Sequence, residues 1–228
     1  MDIIDQVAAI PLFKGLPRRQ LEELAMIVLI QRVTRGQVIF ADGDAGTGFY
    51  VLTSGRVKIF KLSPDGKEQI LHIMSPGDPF GEAAVFAGDP FPAYAEAIED
   101  GAALFFPRAA FIELIGNNPS LALNMMAILA RRLRKFTTMI EALSLKEVPG
   151  RLAAHLLYLS GQTGGDRGLT LDITKNQLAS LMGTIPETLS RILTRMVKEG
   201  LLETTGQRHI RILDRNGLKE LAEGERRL

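Results

Sequence analysis

Glu187, Ser190 and Arg191 lie within five residues of one another in the stretch GTIPETLSRILTRMVKEGLLE (183–203), with Thr184, Thr188, Thr194 and Arg195 around them. At helical spacing such groups share a face, and each has a partner on the edge of a base pair. An arginine can grip guanine O6 and N7 with two hydrogen bonds. A glutamate can accept from cytosine N4, and a serine can touch a thymine or a phosphate. The same segment carries Ile185, Leu189, Ile192, Leu193, Met196 and Val197, which read as core residues. An ordinary solvated face would explain any one of the polar residues alone, so the surrounding elements decide between the two readings.

Those elements are the parts of a helix–turn–helix. The sequence predicts helices over Lys175–Met182 and Pro186–Glu199. Thr174 is placed to cap the first, beside Lys175, and Ala179 is small where two helices must cross. Gly183 supplies the turn, and Pro186 suits the first position of the second helix. That leaves the N-terminal end of the second helix free to enter a major groove. A hairpin pattern follows, LLETTGQRHIRILD with Gly206 at its tip, and Arg208 and His209 on it could rest on phosphates as a wing. A helix over about 150–161, a glycine-rich turn at 161–168, a short strand at 169–172 and a helix over 215–223 complete the set. From Val148 onward there are twelve Lys/Arg against nine Asp/Glu, a mild basic lean. The implied partner is double-stranded DNA.

The rest of the chain must hold and aim this reader. Residues 2–28 have helical periodicity, with Leu21, Leu24, Ala25 and Val28 on one face and Pro17 near a first turn. From Gln31 to about Pro107 short strands alternate with turns. They read as Ile30–Val33, Val38–Phe40, Phe49–Thr53, Arg56–Leu62, Gln69–Met74, Ala93–Ala97 and Ala102–Phe106, with SPDG, SPGDPFG and AGDPFP among the breaks. This pattern suggests a β-sandwich or jelly-roll barrel. The expected fold class is α+β: a β jelly roll, a long helix and a C-terminal winged helix–turn–helix.

From Asn118 the periodicity turns helical again. Met126, Leu129, Leu133, Phe136, Ile140 and Leu143 repeat at alternating spacings of three and four, the seam of a coiled coil. A second copy of the same helix is its natural cover, so a two-fold homodimer is expected. KEVPG (146–150) reads as a boundary, because Pro149 disfavours helix at Val148. The expected divisions are 1–117 for a sensor with N-terminal helices, 118–145 for a dimerisation helix and 146–228 for the DNA-binding domain.

Composition removes several classes of function. The 228 residues are 46% hydrophobic and 23% charged, as in a soluble globular protein. No run is long enough to span a bilayer, and MDIIDQVAAIPLF lacks a secretory pattern, so a cytoplasmic location with no membrane partner is expected. There is no cysteine, which excludes disulfides, thiolate zinc sites and cysteine-held iron–sulfur clusters. A cupin-type metalloenzyme needs several histidines converging on a barrel mouth, and only His72 of the three histidines lies in the barrel segment. No Gly-x-Ser-x-Gly turn or Walker phosphate loop is present. An enzyme is not expected.

The chain resembles, over nearly its whole length, the family of the cyclic-AMP receptor protein and the fumarate–nitrate reduction regulator. The residues that carry the likeness are GEAAVF (81–86), Gly36, Gly43, Gly55 and Gly77, and Glu187-Thr188-Leu189-Ser190-Arg191. The resemblance implies a dimeric transcriptional regulator, with RNA polymerase as a further partner. The combination of Glu187, Ser190 and Arg191 implies a palindrome with TTGAT- or TTGTGA-like half-sites.

The same likeness frames what the barrel senses. In the family's nucleotide binders an arginine followed by serine or threonine pairs with the phosphate; here Pro92 and Ala93 stand at those positions. Glu82, which matches the residue meeting the ribose, is retained beside Gly81 in the candidate effector pocket. A buried phosphate without its cation is costly, which argues against cyclic AMP. LSPDGKEQIL, FPAYAEA and PETLSRIL are similar to the cysteine-free regulators of denitrification and nitrosative stress, some of which are believed to sense nitric oxide through haem. Haem is therefore the candidate cofactor, with His72 or Met74, two apart on one predicted strand, as axial ligand. The alternatives are a cyclic-AMP-responsive regulator and, more distantly, a cyclic-nucleotide-binding regulatory subunit acting on a protein partner.

Overall fold

The computed structural model describes residues 2–162, 168–206 and 208–228. It separates into two compact units, Met1–Leu133 and Arg134–Leu228, and the division falls inside one long helix.

The first unit opens with α1 (Ile3–Ala8), a short 3-10 turn (Pro11–Phe13) and α2 (Arg18–Ile27). The helical region expected over 2–28 is thus two helices, the second starting just after Pro17. Pro11 has no N–H to continue α1, and Gly15 takes the positive φ that lets the chain turn before α2.

Eight strands follow: β1 (Leu29–Val33), β2 (Val38–Phe40), β3 (Gly48–Ser54), β4 (Val57–Leu62), β5 (Glu68–Met74), β6 (Pro79–Phe80), β7 (Tyr94–Ala97) and β8 (Gly101–Pro107). They form two four-stranded sheets, in the orders β1-β8-β3-β6 and β2-β7-β4-β5. Seven of the eight match expected strands. The exception is β6, a two-residue strand paired with Tyr50 and Val51 inside what reads in sequence as a turn.

β3 shows why these residues make this fold. Its buried residues alternate between two cores. Phe49 and Val51, with Leu104 and Phe106 of β8, face a core shared with Phe13, Leu24, Phe111, Leu121 and Met125. Tyr50 and Leu52, with Ala103 of β8, face the space between the sheets. The period of two thus sorts one apolar run into two layers.

Two helices in this unit lay outside the expected set: α3 (Glu82–Ala87) and α4 (Arg108–Asn117). The long helix α5 covers Pro119–Leu145, 27 residues, or about 40 Å at 1.5 Å per residue.

The second unit contains the end of α5, α6 (Val148–Gln162), β9 (Leu169–Thr170), α7 (Lys175–Leu181), α8 (Pro186–Lys198), the hairpin β10 (Leu202–Thr205) and β11 (His209–Ile212), and α9 (Arg215–Glu223). KEVPG does interrupt the helices, but for only two residues. Val148 begins α6, because a proline in a first helical turn removes an N–H that has no partner there anyway. Most of the glycine-rich turn expected at 161–168 lies outside the described residues.

Candidate nucleic-acid interface and sensor site

The reader is built from two helices that end in the same way. Thr174 caps α7 in a capping box: its hydroxyl accepts from the Gln177 N–H, and the Gln177 side chain returns to the Thr174 N–H. The helix closes at Gly183, whose φ of 66° is left-handed. There the Gly183 N–H donates to Ser180 and the Thr184 N–H to Ala179, at 3.2 and 3.0 Å. This double closure is the Schellman motif. It is repeated after α8, where Gly200 and Leu201 donate to Val197 and Met196. The turn between α7 and α8 is therefore fixed by backbone hydrogen bonds at Gly183, and Pro186 opens α8 at its first position.

Under α8 lie Leu189, Leu193 and Met196, all buried, with Ile192 half-buried. Two residues expected in the core are not. Ile185, at the N-cap, is 49% exposed, and Val197 is 38% exposed. The first precedes the helix, and the second lies at the edge of the buried stripe, four residues after Leu193. Glu187, Ser190, Arg191 and Arg195 are exposed, and Thr184 and Thr188 are half-buried. Arg191 Nη2 donates to Thr188 Oγ1 at 3.1 Å, and Thr194 Oγ1 donates to the Ser190 carbonyl at 2.9 Å. Arg195 is tied to Glu199 at 3.3 Å, which also holds Arg226 at 3.0 Å.

Lys175 is exposed at the start of α7. The wing is a three-stranded sheet in the order β10-β11-β9. Arg208 and His209 are exposed on it, and the His209 ring nitrogen Nδ1 lies 3.0 Å from Thr170 Oγ1 on the paired strand.

The sensor unit places its candidates unevenly. Gly81 adopts φ 79° at the start of α3, where a Cβ would come within 3.0 Å of Phe91 and 3.3 Å of Phe40. Glu82 is 1% exposed and forms an ion pair with Arg132 of α5, whose other nitrogen Nη2 donates to the Pro79 carbonyl at 2.7 Å. The second carboxylate oxygen of Glu82, Oε2, is buried without a hydrogen-bond partner. Ala93 is buried and Pro92 exposed.

Arg132 is the residue that sequence reasoning missed. It sits in ARRLRKF among other cations, and no spacing rule tells which of them turns to a carboxylate 50 positions earlier.

Between the sheets the space is filled by rings. Phe40 stacks on Phe91 at 3.9 Å between centroids and lies 5.9 Å from Tyr50 and 6.1 Å from Phe80. Burial raises the Tyr50 hydroxyl above its ordinary pKa. Met74 belongs to this cluster and is fully buried. His72 is half-buried on β5, opposite Ile59. Opposite Ile59 and Val57, His72 and Met74 lie in unbroken register and share a side as expected, although one is half-buried and the other fully buried; the bulge of this pair falls beyond them, at Leu71.

The seam residues of α5 are uncovered within the single chain. Met126, Leu133 and Ile140 are 56%, 68% and 65% exposed, and Leu129, Phe136 and Leu143 are half-buried. The only fully buried residues on the helix are Leu121 and Met125.

Residues 30–118 match the cyclic nucleotide-binding domain family, and residues 150–221 match the Crp-like helix-turn-helix domain family. The cyclic AMP receptor protein of Thermus thermophilus is 34% identical over 215 residues, covering 94% of this chain and 97% of that protein. The chain belongs to the Crp/Fnr family. The fumarate and nitrate reduction regulatory protein of Vibrio cholerae is 32% identical over 208 residues, covering 89% of this chain and 82% of that protein. Among solved structures, FixK2 of Bradyrhizobium japonicum has a TM-score of 0.74 at 25% identity, covering 86% of this chain and 97% of that one. As a Crp/Fnr member the chain is a DNA-binding transcriptional regulator and not an enzyme. Among the described residues no helix is long and apolar enough to cross a membrane.

Proposed function

We propose that the protein binds DNA as a homodimer, reading a TTGAT- or TTGTGA-like palindrome with Glu187, Ser190 and Arg191 under the control of an effector in the sensor unit. The observation that carries the reading is the face of α8: base-competent side chains stand exposed above a buried apolar stripe on a helix with a fixed N-terminal turn. Thr184, Thr188, Lys175, Arg208 and His209 surround this face as candidate phosphate and base contacts. Arg195 is the weakest candidate, since Glu199 already takes its charge.

The uncovered seam from Met126 to Leu143 supplies the dimer, and a dimer presents two reading helices about 34 Å apart, one turn of DNA. The domain limits that follow are a sensor over 1–117, a dimerisation helix over 118–145 and a reader over 146–228. RNA polymerase is the further partner this role implies. The direct test is binding of the purified protein to such a palindrome. Arg191→Ala should cost about 1–3 kcal/mol per half-site; unweakened binding would refute the reader.

For the effector, a cyclic nucleotide is the better supported of two readings. The bare oxygen of Glu82 is an acceptor waiting for a donor such as a ribose hydroxyl, and Arg132 brings a cation to the same place. Close relatives are named as cyclic-AMP proteins. The cation comes from α5, where the sequence beside Pro92 and Ala93 offered none. An effector could act only through its difference in affinity for the DNA-binding and resting states.

Haem switched by nitric oxide, as in denitrification regulators, is the second reading, and the residues fit it poorly. Met74 is packed among rings with no open side for a metal, which leaves His72. Titration with cyclic AMP, read as tighter operator binding, tests the first. A Soret band lost in His72→Ala tests the second.

A further inference from the structure

Two arginines stand one turn apart on α8 and are held differently. Arg195 is bound by a carboxylate, Glu199, which it shares with Arg226. Arg191 has Glu187 four residues before it, the spacing at which glutamate and arginine pair along a helix. Its guanidinium goes instead to the Thr188 hydroxyl, three residues away.

We propose that Thr188 is the positioning residue for Arg191: its hydroxyl holds the guanidinium in the pose that reads guanine and keeps it from Glu187. This rests on α8 being the base-reading helix. Thr188 suits the task because a β-branched side chain has few χ1 choices in a helix, and this one is half-buried, so its oxygen is a fixed point. A hydroxyl accepts one N–H without neutralising the charge, and a guanidinium has five N–H donors, enough left for O6 and N7. A pair with Glu187 would silence both readers at once. A long side chain already held also loses less freedom when it meets the base.

The experiment uses full-length protein and operator duplexes in which one guanine at a time is replaced by 7-deazaguanine. This base keeps its pairing and lacks only the N7 acceptor. At the guanine read by Arg191 the unmodified protein should lose about tenfold in affinity, and Arg191→Ala should show no such penalty. Thr188→Val keeps the shape without the hydroxyl and should shrink the penalty to about threefold; Thr188→Ser should restore it to about tenfold. A general loss of fold would not move this ratio.

An undiminished penalty in Thr188→Val overturns the proposal. So does equal weakening on every duplex with a shallower salt dependence, which would make Thr188 a phosphate contact. A wild-type protein indifferent to 7-deazaguanine at every guanine would instead refute the reading of α8 itself.

Discussion

The sensor and the reader dispose of their polar side chains in opposite ways. In the sensor unit they are committed to one another. Glu82 is buried against Arg132, and Lys58 is buried between Glu68 and Glu96 with its ammonium 4.4 Å from the Phe60 ring centre. Rings occupy the space between the sheets. On α8 the polar groups stand in water above their own apolar stripe. A ligand of the sensor must therefore exchange existing partners, whereas DNA meets Glu187, Ser190 and Arg191 already exposed on the reader. The first arrangement suits a site that changes state on binding, and the second a site that must be ready beforehand.

The contrast breaks or holds on where a truncation is felt. Phe40→Ala should cost about 3–5 kcal/mol of stability, since it empties a stacked position between Phe91, Tyr50 and Phe80. Arg191→Ala should stay within about 0.5 kcal/mol by urea denaturation while losing operator affinity. If the arginine variant melts as readily as the phenylalanine one, the reading face is structural.

A smaller effect sharpens the sensor's half of the comparison. Arg132→Met leaves the Glu82 carboxylate buried without its partner and should destabilise by about 2 kcal/mol, discounted because the arginine side chain is 19% exposed. Adding Glu82→Leu should recover most of that loss, because it removes the stranded charge. No recovery would mean that the pair is held by packing rather than by charge. In the reader, Gly183→Ala forces a left-handed φ on a residue with a Cβ and should cost about 1–2 kcal/mol, measured as a lowered Tm.

The same division decided what could be read in the sequence. The reader was legible because its signals are local: Thr174, Gly183 and Pro186 each act within a few residues of themselves, and α7, α8 and the hairpin fall within a residue or so of the spans expected from them. The barrel strands were legible for the same reason, being bounded by glycine turns. What escaped depends on the fold. β6 exists only because Tyr50 and Val51 offer it an edge, and Arg132 matters only because α5 carries it to Glu82. His72 and Met74 keep the shared side that the period of two predicts, because the extra residue of β5, Leu71, lies beyond them. α3 fills a short gap between β6 and β7, where its periodicity has too few turns to register, and α4 is a short link from β8 into α5.

The least effect expected is one of pH, and it separates the units by a residue outside both sets of candidate contacts. His155 lies on α6 of the reader, and burial lowers its pKa below the ordinary value of 6.5. Above that value the imidazole is neutral in both folded and unfolded chains and contributes no pH dependence. As pH falls through about 6.5 the unfolded chain takes up the proton first, so stability drops until the lowered folded pKa is reached. Stability should therefore fall as pH is lowered from 7.5 through about 6.5. His155→Gln removes the ionisable group, so its melting temperature should fall less over the same range, measured on the full chain by circular dichroism. Carboxylates titrating elsewhere affect both proteins alike and cancel in the comparison. A variant that loses as much as the parent would place the acid sensitivity outside α6.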